Sequence, residues 1–318
     1  MDNDVVLTDT RTAKSRCKAG DHKGRAGLAM RSLAAPALGL VLMSQPARAA
    51  SVDIAYDISL LGLPLGTATL TGEVLAERFK LEIRAKMTGL AGTITGGRGA
   101  GTSTGIMAPA GPVTSSFAVT AANSSEQRTV RMNIEKNAVS GSEIAPPLEA
   151  RPDRVPVTDM HRKGIIDPIS ALMMPVSAND PRTACNRNIP IFDGAARYDI
   201  ALSYGGNAQV SSEGYEGQAV ICNVRYTPIA GHRNRKPVKF MADNRDIQVW
   251  LAPVTGTSLM LPFKISVRTM IGTAVIALFE WSNPATIGEL SFADRLLVSF
   301  FHSVQARTAG FNSVDIGQ

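Results

Sequence analysis

The chain has 318 residues, 44% of them apolar, 19% charged and 5% aromatic, a balance that excludes an intrinsically disordered protein. No run of about 18 or more apolar residues occurs, which excludes a polytopic helical membrane protein. The net charge of +6 is local: the first 49 residues hold eight of the 33 basic and four of the 27 acidic side chains, leaving 25 against 23, so the electrostatic footprint of nucleic-acid binding is missing.

In chain order, the first element is an export signal. His22 to Arg31 is basic, Ser32 to Met43 is an apolar stretch too short to span a bilayer, and Ala47-Arg48-Ala49 presents small residues where signal peptidase reads them. Cleavage is expected after Ala49, with either Met1 or Met30 as the start, and the periplasm as destination. Of Cys17, Cys185 and Cys222, the first falls in the removed segment. The remaining pair, in an oxidising space, is expected to form one disulfide. It would close a loop of about 37 residues, for roughly 4 kcal/mol in the chain-entropy model; the alternative is two buried thiols. No C-x-x-C occurs, and His161 and His232 stand alone, so neither a metal site nor a cofactor is expected.

From residue 50 the periodicity is two. Lys80 to Met87 alternates Leu81, Ile83, Ala85 and Met87 with four charged residues, and Val130, Met132 and Ile134 alternate with Arg131, Asn133 and Glu135. Further strands are expected at Val52 to Leu61, Thr67 to Leu75, Val113 to Ala121, Ala195 to Tyr204, Gln218 to Tyr226, Ile247 to Leu251 and Pro262 to Thr269. Gly, Pro and Asn punctuate them about every ten residues. One-sided alternation demands a covered face. The expected fold is therefore mainly β, a large curved antiparallel sheet, barrel-like or half-barrel, with one short helix. That helix is placed at Asp167 to Met174, with Asp167 as N-cap and Pro168 in the first turn. Residues 145–153, rich in Pro, read as a connection, and Arg233 to Lys236 as a solvated turn.

Catalytic patterns are weak. Gly101-Thr102-Ser103-Thr104-Gly105 fits G-x-S-x-G, but the nucleophile elbow needs an apolar strand before the Ser and a helix after it. A glycine-rich stretch precedes this motif, and Pro109 and Pro112 follow. Asp193-Gly194 reads as a turn before the Ala195 strand, with Arg197 and Tyr198 placed to pin it. A serine hydrolase through Ser103 ranks third among the functional readings.

Two resemblances complete the reading. Tyr56-Asp57, Gly62 and Gly66, then Ile166-Asp167-Pro168-Ile169-Ser170-Ala171, Cys185, Phe192-Asp193-Gly194, Arg197-Tyr198, Cys222, Tyr226-Thr227-Pro228-Ile229 and Pro262-Phe263-Lys264-Ile265 resemble, in order over about 52–275, the exported bacterial proteins of domain of unknown function 3108. That resemblance implies an envelope protein rich in antiparallel strands and no assigned reaction. Further on, Glu280-Trp281-Ser282-Asn283-Pro284-Ala285-Thr286, Phe300-Phe301-His302-Ser303-Val304 and Arg307 to Asp315 resemble a pore-loop segment of the Trk/Ktr potassium-transporter family. Carried over, Thr308, Ala309, Gly310 and Phe311 would be a filter strand with carbonyls facing the ion. A single such loop makes a fragment or gene fusion, its tail partly helical over Ala293 to Gln305 and otherwise loose.

The expected organisation is a signal peptide over 1–49, an exported β domain over 50–275 and a transporter-like fragment over 276–318. The expected function is non-catalytic binding of an envelope lipid or polymer on the concave face, with membrane association only through the tail. The alternative is potassium transport through that tail.

Overall fold

The computed structural model describes residues 50–281 apart from 76, 178 and 179. Strands β1 (Ala50–Leu60), β2 (Leu63–Val74) and β3 (Phe79–Met87) lead through helix α1 (Gly89–Thr95) to β4 (Arg98–Ala108), β5 (Gly111–Ala122), β6 (Gln127–Glu135) and β7 (Ala138–Ala145). A connection over 146–186 holds three 3-10 turns and the two-residue β8 (Met174–Pro175). Then come β9 (Arg187–Phe192), β10 (Arg197–Ser212), β11 (Tyr215–Ala230), helix α2 (Lys236–Asp243), β12 (Ile247–Pro253), β13 (Leu259–Thr269) and β14 (Gly272–Trp281).

The sheet order is β7-β6-β5-β4-β3-β2-β1-β14-β13-β12-β11-β10-β9, antiparallel throughout, with β8 added beside β13. The chain thus starts at the centre, meanders to one edge, crosses over, and meanders back until β14 pairs with β1. Two-residue turns at Leu61–Gly62 and Lys136–Asn137, with positive φ at every position, have the twist that tight hairpins need. The edges β7 and β9 do not pair with each other, so the sheet is not closed; residues 163–166 lie between them. Lys163 bridges Ala138, Ile165 N–H donates to Asn137 O, and Ile166 runs parallel to Ile191. Curvature brings the β9–β10 turn against β6, where a Cβ on Gly194 would sit 2.3 Å from Val130 Cγ1.

The alternation works as the sequence predicts. Phe79 and Leu81 are buried while Lys80 and Arg84 face outward. Inner side chains form two clusters. One joins Ile54, Leu70, Leu81, Phe117, Met132 and Phe263 with Ile165, Ile169 and Met173 of the connection. The other joins Cys185, Ile191, Leu202, Cys222, Val249 and Leu251.

Several expectations need correction. The helix placed at 167–174 is a single 3-10 turn, Ser170–Leu172. Met174–Pro175 leaves it to pair with Leu259 and Met260, and that ladder wins over helix propagation. Among the described residues the α-helices are α1 and α2, short segments whose residues include none that are buried. The glycine-rich stretch around Ser103 is β4, where small residues suit a strand crowded from its inner face. The sheet also runs past the boundary expected at 275, since β14 continues to Trp281 along β1. The signal segment 1–49, the expected helix over 293–305 and the filter-like Thr308 to Phe311 lie outside the described residues.

Candidate functional site

The connection that fills the concave face is held from two sides. On the first side the anchor is polar. Asp167 is fully buried, as are Ser103 of β4 and Ser170, with Thr114 of β5 nearly so. Asp167 Oδ2 accepts from Ser103 Oγ at 2.9 Å and Thr114 Oγ1 at 2.5 Å. Its Oδ1 accepts from the N–H groups of Ile169 at 2.9 Å and Ser170 at 3.1 Å. The Ser170 hydroxyl closes the group, 2.7 Å from Ser103 Oγ. A carboxylate with four donors can be buried without an unmet hydrogen-bonding demand. Gly101 makes room for this, since a Cβ there would lie 2.9 Å from Ile169 Cδ1, while a Cβ on Gly105 would meet the neighbouring strands, 2.1 Å from Val113 O and 2.7 Å from the Phe79 ring. Gly101 and Ser103 of the G-x-S-x-G motif therefore receive the connection. Among the described residues, the hydrogen-bond partners of Ser103 are Asp167, Ser170 and the Ser116 carbonyl, and none is an imidazole. His161 Nδ1 accepts instead from Thr158 N–H at 3.0 Å.

On the second side the anchor is covalent. Cys185, at the end of the 3-10 turn Pro181–Cys185, is bonded to Cys222 in the middle of β11, with Cα atoms 5.2 Å apart. Both cysteines are fully buried. Asp193 and Gly194 form the β9–β10 turn: Asp193 Oδ1 accepts from Ala195 and Ala196 N–H at 2.8 and 2.6 Å, and Gly194 has φ 94. Arg197 pairs with Asp199 at 2.5 Å instead of reaching Asp193. Burial pushes the Tyr198 hydroxyl well above its ordinary range, with the Asp193 carboxylate adding to it, and its ring rests 5.5 Å from that of Tyr226.

The disulfide also builds a wall. Beyond Asn207 the long β10–β11 hairpin leaves β12 behind, since β12 pairs only with residues 220–223 of β11. The hairpin folds over β14, where Ser212 Oγ donates to Leu278 and Phe279 carbonyls at 3.0 Å. Between the hairpin, the disulfide-held segment and the β12–β13 turn lies a cleft of about 580 Å³, lined by Val176, Arg182, Tyr215, Val220, Pro253 and Met260 among others. A second hollow of about 430 Å³ adjoins it, sharing Val176, Thr257 and Ser258 and reaching Leu75 and Met107. Arg182 closes the polar end: its guanidinium forks onto Asp180 at 2.8 and 3.2 Å, holding that carboxyl below the ordinary range, and lies 6.0 Å from the Tyr204 ring centre. Such a cleft suits a molecule with an apolar body and a polar head. Among the described residues no cluster of three or more potential metal ligands occurs.

Sequence reasoning placed Asp167 at a cap and Cys185 with Cys222 in a disulfide, and did not join Ser103 to Asp167, which lie 64 positions apart. It did not find the cleft either: its lining is scattered, and the hairpin that walls it runs on to Ser212 and back from Tyr215, past the ends expected at Tyr204 and Gln218.

Fold and site together define a protein built on one curved antiparallel sheet, its concave face filled by its own crossover and a cleft left at one rim. The chain belongs to the family described as protein of unknown function (DUF3108), which it matches over residues 55–278. A solved structure of a beta-barrel-like protein of domain of unknown function DUF1849 from Brucella abortus is similar at a TM-score of 0.44 and 10% identity, over 74% of this chain and 98% of that one. Short stretches are also similar to Ktr system potassium uptake protein B: 43% identity over 61 residues in Bacillus subtilis and 49% over 49 residues in Vibrio alginolyticus. These cover 19% and 15% of this chain, and the chain spans only 14% and 11% of those relatives.

Proposed function

We propose that the chain is an exported, non-catalytic binding protein of the cell envelope, and that its ligand is an amphiphile seated in the rim cleft. The observation that carries this is the pair of adjoining hollows, about 580 and 430 Å³, with Val176, Val220 and Met260 along the walls and Arg182 at one end. The concave face first expected to bind is occupied by Ile165, Ile169 and Met173, so the seat moves to the rim. The intramolecular disulfide supports an oxidising compartment, and the signal-like segment 22–49 supports the periplasm. Titration with dansyl-labelled undecanoic acid tests the reading. Saturable one-site binding is expected, weakened about tenfold or more by Ser258→Trp, since the exposed Ser258 lines both hollows. Binding that ignores Ser258→Trp, or no saturable binding, overturns it.

A second reading, potassium movement through residues 276–318, draws support from the short likenesses to the two Ktr proteins. Expression of the full chain in bacteria lacking potassium uptake tests it: growth on low potassium supports transport, and no rescue removes it.

A further inference from the structure

The edge strand β9 turns a cation inward. Its residues Ile189 and Ile191 are buried in the cluster around the disulfide. Arg187, two residues before Ile189, points to that same inner face. Burial lowers the pKa of its guanidinium. Nη2 donates to Pro175 O at 2.8 Å, and Nε is enclosed with no acceptor among the described residues. The carboxylates around it are committed elsewhere. Asp180 holds the Arg182 fork, and Asp193 caps its own turn at the far end of β9. Asp199 meets Arg197, and also Asn188, whose side chain the strand sends to the opposite face. Arg182 in the cleft is thus neutralised, and among the described residues Arg187 has no carboxylate partner. An unpaired, half-buried cation is a costly thing to keep unless an anion meets it.

That cation lies on a hollow of about 170 Å³ in the seam between the two sheet edges, walled by Pro112, Ile165, Met173 and Ile189 among others. Arg187 is the one charged residue among those that line it. The strand adds a donor. Ile166 N–H donates to Pro190 O, and Phe192 N–H donates to Ile166 O, so the even-numbered residues of β9 turn their backbone groups to the seam. Pro190 has no N–H to give, and the N–H of Asn188, two residues earlier, faces the hollow beyond the last of these bonds. At the mouth, Lys136 and Lys163 flank the lining residues Asn137 and Gly164, and the alternation of β6 turns Glu135 outward. Gly111 and Pro175 separate this hollow from the one of about 430 Å³: a Cβ on Gly111 would lie 2.6 Å from Pro175 Cγ.

We infer that this seam pocket binds a short-chain monocarboxylate, with its carboxylate on Arg187 and the Asn188 N–H and its hydrocarbon end against Pro112, Ile165 and Ile189. A guanidinium matches the planar carboxylate and its single charge. A phosphate would bring nearly twice that charge and more acceptor oxygens than one cation and one N–H satisfy, into walls that are mostly apolar. A neutral ligand would leave the cation as unpaired as before. The pocket is distinct from the rim cleft, and the inference does not rest on what the cleft holds.

The test is calorimetric titration of the full chain with butyrate, with the isosteric but neutral butyramide, and with inorganic phosphate. Saturable one-site binding of butyrate is expected, with butyramide weaker by about tenfold or more. Arg187→Met keeps an unbranched stem and removes the charge, and should weaken butyrate by about tenfold or more while leaving butyramide unchanged. Ala110→Trp, placed on the exposed β4–β5 turn that lines the hollow, fills the pocket without altering the strands and should abolish binding even if Arg187→Met folds poorly. Ser258→Trp should have no effect, which separates this pocket from the cleft. A parent that does not bind butyrate saturably overturns the inference, as does equal binding by the parent and either pocket variant. Phosphate binding tighter than butyrate overturns the carboxylate assignment, and loss of butyrate binding in Ser258→Trp overturns the location.

Discussion

The two halves of the sheet fasten the same crossover in opposite ways. Strands β4 and β5 hold it through a buried carboxylate with four donors, drawn from Ser103, Thr114 and the backbone after Asp167. Strand β11 holds it through one covalent bond, Cys185–Cys222. The polar anchor fixes the direction in which the chain enters the interior, since its donors lie on three segments and must all meet the lone pairs of one carboxylate. The covalent anchor imposes no such match; it limits how far the segment can drift and narrows the unfolded ensemble. The interior is packed next to the polar anchor, and the cleft opens next to the covalent one.

Breaking the covalent anchor should have the larger effect. Cys185→Ser/Cys222→Ser, or reduction, releases a loop with a sequence separation of 37 and is expected to cost about 4 kcal/mol, read as a fall in the urea midpoint. Native-state hydrogen exchange sharpens the contrast. Amides of β9–β11 should lose protection while those of β2–β5 keep it, and equal loss in both would mean that the halves unfold as one unit.

Breaking the polar anchor should cost somewhat less. Asp167→Ala removes the acceptor for four donors, and is expected to cost about 3 kcal/mol, because the three hydroxyls can still pair among themselves while two buried N–H groups cannot. Asp167→Asn, which keeps a carbonyl for Ile169 and Ser170, should cost about half of that. Ser103→Ala combined with Asp167→Asn should be less than additive, since both act on one network; strict additivity would mean that the hydrogen bond between them contributes nothing.

Legibility in the sequence follows the range of the forces. Strands with strict alternation, such as Lys80 to Met87, are local objects and were readable. So was the single disulfide, because two cysteines remain after residue 49. The Asp167 anchor was only half readable: a cap shows in the pattern Asp167-Pro168, whereas its partners Ser103 and Thr114 come from strands 64 and 53 positions away. The expected helix over 167–174 failed for the same reason, because the competing ladder to Met260 is long-range. The strand β4 carried no apolar alternation, its inner face being Gly101, Ser103 and Gly105: the crossover packed on it explains Gly101 and Ser103, and the Phe79 ring and Val113 carbonyl explain Gly105.

The smallest effect concerns the bond that joins the halves directly. Tyr56, on β1, donates its hydroxyl to Pro262 O on β13 at 2.8 Å, and burial pushes its ionisation well above the ordinary tyrosine value. Tyr56→Phe leaves a buried carbonyl short of a donor and should cost about 1 kcal/mol at neutral pH. The pH dependence has a definite sign. In the folded protein the proton is retained, while in the unfolded chain it leaves near pH 10. Its contribution to stability is therefore fully present below about pH 10 and is lost as pH rises beyond it. The urea midpoint of the parent should fall with pH above that point more steeply than that of Tyr56→Phe. The variant should keep some slope, because Tyr198 is raised by burial in the same direction. Parallel slopes in the two proteins would show that Tyr56 ionises as easily folded as unfolded, and the contact with Pro262 could not then be a bond that holds β1 to β13.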